Sequence, residues 1–232
     1  MTLKVVLEVA PKRAFASAID WPGWSRAAKT PDEALEALLA YAPRYAPVAR
    51  RAKTSFRPPA TVRGVKVVER LTGGGGTEFG VPGSMAKSER DPLDAHDLKR
   101  MLALLRASWA VFDRVAAGAV GVELLKGPRG GGRDLPKIIG HVPEAEVAYL
   151  AQLGSRSPAA ADEDPGRPMA LLRRTFTDAL TAIATGHPVA DPRNTQKPWP
   201  PRYAVRRSAW HVLDHAWEIQ DRSRRQVTEP RR

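Results

Sequence analysis

Residues 201–222, PRYAVRRSAWHVLDHAWEIQDR, combine a helical pattern of apolar side chains with two histidines four residues apart. The apolar positions recur every three or four residues: Val205, Ala209, Val212, Ala216 and Ile219. This period predicts a long helix that is buried along one face. His211 and His215 fall at the border of the apolar stripe, and residues i and i+4 of a helix lie about 6 Å apart on one face. Both imidazoles can therefore reach one metal ion.

Three stretches upstream show the same helical period. They predict helices over Leu93–Ala117, Asp134–Leu153 and Pro168–Thr185. Together with the helix at 201–222, they predict an all-α four-helix bundle over residues 93–222, because helices of similar length with short polar or Gly/Pro-rich connections pack their apolar faces together. Residues 223–232 are predicted to form a basic tail.

A histidine pair needs a third ligand to hold a divalent ion in an open site. Of the remaining histidines, only His141 stands deep inside a predicted helix, close to apolar neighbours. His187 follows Gly186 and is predicted in a loop, and His96 is predicted in the first turn of a helix. The candidate metal ligands are therefore His141, His211 and His215. Two ordinary histidines on a helix surface are the alternative interpretation of the pair.

The runs KIIGHVPEAEVAYL (137–150) and AWHVLDHAWEIQDR (209–222) resemble the DinB-like (YfiT-like) superfamily of four-helix bundles. In that superfamily one histidine of the second helix and a His-x3-His pair of the fourth helix bind a metal. The resemblance covers residues 93–222 and implies the same role for His141, His211 and His215. It further implies a metal-dependent enzyme that transfers a group to a low-molecular-weight thiol or isomerises a substrate with its help. It also implies that two copies can pair as a homodimer.

Three neutral imidazoles leave a divalent ion with its charge and an open position for water or substrate. Zn²⁺ is the first expectation and Ni²⁺ the second, because imidazole suits both. Helical spacing from the histidines makes Glu144, Asp214 and Glu218 the candidate catalytic carboxylates. Each could orient an imidazole or act as a general base. The alternative is a solvated carboxylate on a helix surface.

Basic residues lead into and begin the helix that carries His141. They are Lys126, Arg129, Arg133 and Lys137, and they are the candidate cofactor-binding or substrate-binding residues. Free backbone N–H groups at a helix start, together with these cations, would attract an anion. We therefore expect a small-molecule substrate or thiol that carries negative charge, and a solvated loop is the alternative.

The N-terminal part predicts a small sheet with one helix against it. Strands are predicted over Leu3–Ala10, Arg13–Asp20, Trp24–Ala28 and Val65–Leu71. Thr30 is a good N-cap residue. Pro31 follows at the first helical position and Glu33 at the third, which is the capping-box arrangement. The fold class is therefore α+β: a β-β-β-α-β domain at 1–71, a Gly/Pro-rich linker at 72–92 that should hold little regular structure, and the four-helix bundle.

The run FASAIDWPGWSRAAKTPDEALEAL (15–38) resembles the N-terminal domain of HicB-type antitoxins. That domain has a strand, an acidic-Pro-Gly turn, a further strand and a Thr-x-x-Glu-Ala helix start. The resemblance implies an αβ module over residues 1–71. It leaves open an alternative function, a non-catalytic interaction protein whose HicB-like module binds a protein partner or RNA. A metal-dependent hydrolase is a further alternative, since water can fill the open metal position.

Composition narrows these classes. The chain has no cysteine, which excludes disulfides, thiolate ligands and cysteine nucleophiles within it. The net charge is +12, and basic residues are most concentrated over residues 44–70. A solvated helix end explains this concentration as well as a phosphate-binding surface does. We therefore do not expect a nucleic-acid partner. No apolar run approaches the roughly 18 residues of a membrane-spanning helix, and no signal peptide is expected. We therefore expect a cytoplasmic location.

Overall fold

Four strands form one sheet in the N-terminal part of the chain. The computed structural model describes residues 2–126, 132–156, 167–187 and 198–223. Its strands are β1 (Leu3–Val9), β2 (Ala14–Ala18), β3 (Ser25–Ala28) and β4 (Val65–Thr72). They lie in the order β3-β2-β1-β4, antiparallel from β3 to β1, with β4 parallel to β1. The four predicted strands are confirmed, and the fold is mixed α/β.

Two helices, not one, connect β3 to β4. Helix α1 (Pro31–Ala40) begins with the predicted capping box, in which the Thr30 hydroxyl accepts from the Glu33 N–H. Helix α2 (Ala42–Arg51) follows at once, so the predicted β-β-β-α-β order is wrong by one helix. Helix α2 contains two prolines, and the first lies in its first turn, where no N–H is needed. Burial of apolar side chains of α2 in the core outweighs the second.

The glycine-rich segment 72–92 is more ordered than its composition predicts. It contains a short helix α3 (Gly75–Phe79) and a 3₁₀ turn at Lys87–Arg90. The Thr77 hydroxyl donates to the Glu8 carboxylate of β1, and the Ser84 N–H donates to the same group at 3.0 Å. The expectation of little regular structure is therefore wrong here, because tertiary hydrogen bonds hold the chain. The predicted domain boundaries at 71 and 92 stay predictions.

Four longer helices make up the rest of the described chain. They are α4 (Ala95–Gly118), α5 (Leu135–Gln152), α6 (Arg167–Ala184) and α7 (Pro201–Ser223), close to the predicted bounds. Helix α7 packs against α4, α5 and α6, and α5 packs against α6. The core of these helices is continuous with that of the sheet and α1. No described helix combines the length and hydropathy of a membrane-spanning segment.

Candidate metal centre

Helix α7 is buried on almost every side, because it packs against α4, α5 and α6 and also contacts strands β2 and β3. All its residues from Tyr203 to Leu213 are buried. Helices at the centre of a fold are normally apolar all round. Yet α7 buries His211 and His215, which are 7% and 9% exposed. Buried polar groups of this kind need partners, and their partners define the site.

His141 of α5 meets this pair. Its Nε2 lies 3.3 Å from the Nε2 of His211. The ring centroids of His141 lie 5.1 Å from His211 and 5.2 Å from His215, and those of His211 and His215 lie 4.7 Å apart. One ligand nitrogen of each imidazole lies within 4.8 Å of the others. The three histidines predicted from the sequence are therefore close enough to hold one metal ion.

The spacing of these nitrogens fits a small divalent ion. Two nitrogens bound at about 2.0–2.1 Å to one tetrahedral ion lie about 3.3 Å apart, the separation between His141 and His211. An all-imidazole donor set suits Zn²⁺ and Ni²⁺ better than Mg²⁺ or Ca²⁺, which take oxygen ligands. The residues present therefore fit a site with three protein ligands, and tetrahedral coordination of such an ion would leave a fourth position for another ligand.

Burial favours the neutral form of two of the imidazoles, those of His211 and His141. Desolvation, followed by the neighbouring imidazoles and Arg207, lowers the pKa of His211 to about 2. Desolvation first and the charge of Arg133 second also lower the pKa of His141. A neutral imidazole is the form that binds a metal, so at neutral pH no proton has to leave these two rings first.

Glu218 fixes the third imidazole. The Nδ1 of His215 lies 2.9 Å from the Glu218 carboxylate, which also accepts from Arg222 at 2.7 Å. Burial opposes ionisation of Glu218, but these two hydrogen bonds hold its pKa below the usual value. An ionised carboxylate accepts from Nδ1–H and leaves the Nε2 lone pair free to bind a metal.

Comparison with known proteins assigns no family to this arrangement. No family model, curated protein or solved structure matches the chain. The resemblances to DinB-like bundles and to HicB-type antitoxins stay predictions. What the site can do therefore has to follow from its own residues.

Neither of the other two candidate carboxylates has a described hydrogen bond to an imidazole. The Asp214 carboxylate accepts from Arg26 of β3 at 2.9 Å and joins α7 to the sheet. Glu144 is exposed on α5; its charge opposes the lowering of the His141 pKa, but no described hydrogen bond or ion pair joins it to an imidazole. Helical spacing thus found Glu218 but could not tell which of three carboxylates the tertiary fold would bring to a ring.

The basic residues predicted to bind an anion are mostly exposed, and one of them is paired with a carboxylate. Lys137 pairs with Asp134, the N-cap of α5, at 3.0 Å, and Lys126 is exposed. Arg133 is also exposed, but its charge acts on both His141 and His211. Arg129 lies outside the described residues. Arg133 is therefore the one of these cations whose field is shown to reach the imidazoles.

A second group of ligand atoms lies at the start of α4. It consists of Asp94, His96 and Asp97. Asp94 caps the helix by accepting from the Asp97 N–H at 2.7 Å, and Asp97 pairs with Arg202 at 2.6 Å. Its carboxylates already have these partners, so capping and ion pairing account for the group.

Sequence reasoning missed two side chains next to the imidazoles. Arg207 lies one helical turn before His211 on α7 and is buried. Tyr149 of α5 places its ring centroid 5.8 Å from that of His211. The i−4 spacing of Arg207 was available as a signal, whereas the position of Tyr149 depends on how α5 packs against α7.

Proposed function

We propose that this protein is a metal-dependent enzyme whose divalent ion is held by His141, His211 and His215. Zn²⁺ is the first expected metal and Ni²⁺ the second. The observation that carries the proposal is the 3.3 Å between the Nε2 atoms of His141 and His211, with His215 completing the group. Three protein ligands and an open position are typical of catalytic sites, whereas structural sites are closed by four.

Such an ion, when bound, acts as a Lewis acid towards a carbonyl or lowers the pKa of a bound water or thiol. Residues around the ion would support this chemistry by excluding water and by orienting the imidazoles. Burial of His211 and His215 keeps water from the back of the site. Glu218 holds the proton on Nδ1 of His215 and so fixes the direction of its Nε2.

We further propose that α4, α5, α6 and α7 form a four-helix bundle of the DinB-like kind. The packing of α7 against the other three helices supports this, as does the origin of the ligands from α5 and α7. The corresponding reaction is group transfer to, or isomerisation assisted by, a low-molecular-weight thiol. That reaction class is supported by the resemblance of 93–222 alone, whereas the metal site is supported by the geometry.

Metal content tests the site directly. We would purify the protein without a histidine tag and measure bound metals by elemental analysis. The wild type should hold about one equivalent, and both the His141→Ala and the His211→Ala/His215→Ala variants should lose it. His187→Ala is the matched control, because His187 is exposed and its imidazole bonds only to the Thr185 hydroxyl among described contacts. A wild type that takes up neither Zn²⁺ nor Ni²⁺ would refute the proposal.

The reaction class needs a separate assay. Metal-loaded and metal-stripped protein would each be mixed with small thiols and an electrophilic substrate, and both substrate conversion and thiol consumption would be followed. We expect conversion of the substrate to require both the metal and the thiol and to be abolished in His141→Ala. A transfer would consume the thiol, whereas an isomerisation would return it. Metal-dependent ester or amide hydrolysis without thiol consumption would keep the metal site but replace the transferase with a hydrolase.

A further inference from the structure

Two neighbouring arginines of α7 have very different surroundings. Arg206 donates to the buried Glu89 carboxylate and to the backbone carbonyls of Pro82 and Ser84. Arg207 is buried too, with 7% exposure, but no carboxylate of the described residues lies within ion-pair distance. A buried guanidinium without an opposite charge is costly, so its surroundings call for an anion.

The hydrogen bonds of Arg207 are long. Its guanidinium donates to the carbonyl of Pro82 and to the hydroxyl of Tyr149, both at 3.3 Å. Its buried Nε has no hydrogen-bond partner among the described residues. N–H···O bonds usually measure about 2.9–3.0 Å, so these contacts satisfy the guanidinium poorly. Donor capacity therefore remains for a ligand.

Arg207 lies beside the metal centre. Its guanidinium carbon is 5.5 Å from the ring centroid of Tyr149 and 5.2 Å from that of Trp210. The His211 ring contacts the same two rings, at 5.8 Å from Tyr149 and 6.3 Å from Trp210. Arg207 and His211 are also one turn apart on the same face of α7. A ligand bound at the imidazoles would therefore reach this guanidinium within the length of a small molecule.

Charge around the centre is positive beside His211, whereas the ionised Glu218 lies beside His215 and pairs with Arg222. The imidazoles are neutral ligands, so they do not offset a divalent ion, and Arg207 and Arg133 add positive charge. Aromatic faces of Tyr149 and Trp210 form apolar walls beside it. A planar guanidinium matches a carboxylate in shape and charge and can bind it through two parallel hydrogen bonds.

We propose that Arg207 binds the carboxylate of a small organic acid whose reacting group occupies the open position of the three-histidine site. This assignment rests on the proposed metal centre and names the substrate class for it, a carboxylic acid with an apolar body. Arg207 is a binding residue in this scheme, and Glu218 and the three imidazoles retain the roles given above.

Binding of simple probes to the wild type tests the substrate class without any variant. Zinc-loaded protein would be titrated calorimetrically with benzoate, with its neutral isostere benzamide, and with phenyl phosphate. We expect benzoate to bind about tenfold or more tightly than benzamide, because only the carboxylate forms a charge-assisted bond. Equal affinities, or a preference for phenyl phosphate, would overturn the assignment.

Variants then locate the binding group. Arg207→Gln should weaken benzoate binding about tenfold or more, and Arg207→Lys should retain part of the affinity because it keeps the charge. Arg114→Gln removes a cation from the exposed surface of α4 and should leave affinity unchanged. Each variant would be checked for native circular dichroism and for one equivalent of zinc. A folded, zinc-loaded Arg207→Gln that binds benzoate like the wild type would show that Arg207 only supports Pro82 and Tyr149.

Failure of the metal site gives a different pattern from failure of the arginine site. If the wild type bound no metal, benzoate would be titrated against the metal-free protein. Binding that is still lost in Arg207→Gln would uphold the carboxylate site and reject the metal centre. Metal binding without any preference for benzoate would uphold the metal centre and reject the carboxylate site.

Discussion

Helix α7 carries two buried polar regions next to each other, and they differ in how completely their atoms are bonded. In the first, which we call the arginine clamp, Arg206 binds Glu89, and Glu89 also accepts from the Ala86 N–H at 2.8 Å. In the second, the metal centre, the Nδ1 of His211 has no partner among the described residues, and neither does Nε of Arg207. Arg206 and Glu89 of the clamp are buried, as are Arg207, His211 and His215, whereas His141 and Glu218 are half-buried.

This difference separates a folding role from a binding role. Native proteins satisfy most buried polar groups, so a group left unsatisfied needs an explanation. The clamp has a structural role, because its ion pair and its hydrogen bonds to backbone carbonyls join α7 to the segment after β4. At the centre, an anionic substrate would give the Nε of Arg207 the partner it lacks among the described residues, and an ion would bind the Nε2 atoms of His141 and His211. The predictions below test this contrast.

Breaking the clamp should have the largest effect. Glu89→Ala leaves the buried Arg206 charge without its partner and should lower the free energy of unfolding by about 3–5 kcal/mol. Urea unfolding monitored by circular dichroism would measure the loss. The folded fraction should still bind one equivalent of metal. The double variant Arg206→Met/Glu89→Leu should recover most of the stability, and a single variant as stable as wild type would remove the distinction between the two regions.

Glu146 of α5 is a third buried polar group, and its effect should depend on pH. Burial raises its pKa to about 7, against the pull of Arg173, whose Nε lies 3.7 Å away. The folded protein then holds this proton more tightly than the unfolded chain does. Its contribution to stability is present below about pH 4.5 and is lost as pH rises through about 7. The loss is about 3 kcal/mol.

Glu146→Gln should remove that dependence. Between pH 5 and 8, the wild type should lose stability relative to the variant, measured by urea unfolding in the presence of a chelator. Comparing the two proteins cancels the contribution of the histidines, which acts in both. Glu144→Gln, an exposed change on the same helix, is the control. A constant difference between wild type and Glu146→Gln across this range would contradict the raised pKa.

Glu218 tests how the metal centre is supported. Glu218→Ala removes the acceptor of the His215 Nδ1–H and should weaken metal affinity about 10–100-fold. Competition with a chelator of known affinity would measure it. Asp214→Asn is the matched control, since it also removes a carboxylate from α7 but one bound to Arg26. Equal losses in both variants would mean that net charge, not orientation of His215, governs affinity.

The sequence predicted what local signals encode. Thr30 and Glu33 mark the start of α1 because a capping box needs only neighbouring residues. The bounds of the long helices follow from apolar periodicity, and the start of α5 follows from Asp134, which caps it. The histidine group followed from the i, i+4 pair and one histidine deep inside another predicted helix. These inferences use only spacing along the chain.

The remainder depends on contacts between distant residues. The clamp joins Arg206 to Glu89, 117 positions apart, and no local pattern pairs them. Helix α2 forms despite two prolines because tertiary burial outweighs local propensity. The buried state of Arg207 follows from the same packing, since an arginine on an amphipathic helix is usually solvated.

Lys137 should have the smallest effect, and it sharpens the contrast between buried and surface charge. It was predicted to bind an anion, but its ammonium is exposed and pairs with Asp134. In about 0.15 M salt, Lys137→Ala should change benzoate affinity by about twofold or less, because solvent and ions screen exposed charges. The helix start should survive, since Asp134 still accepts from the backbone N–H of residue 137 at 2.9 Å. A loss as large as in Arg207→Gln would mean that the surface field, and not the buried guanidinium, attracts the anion.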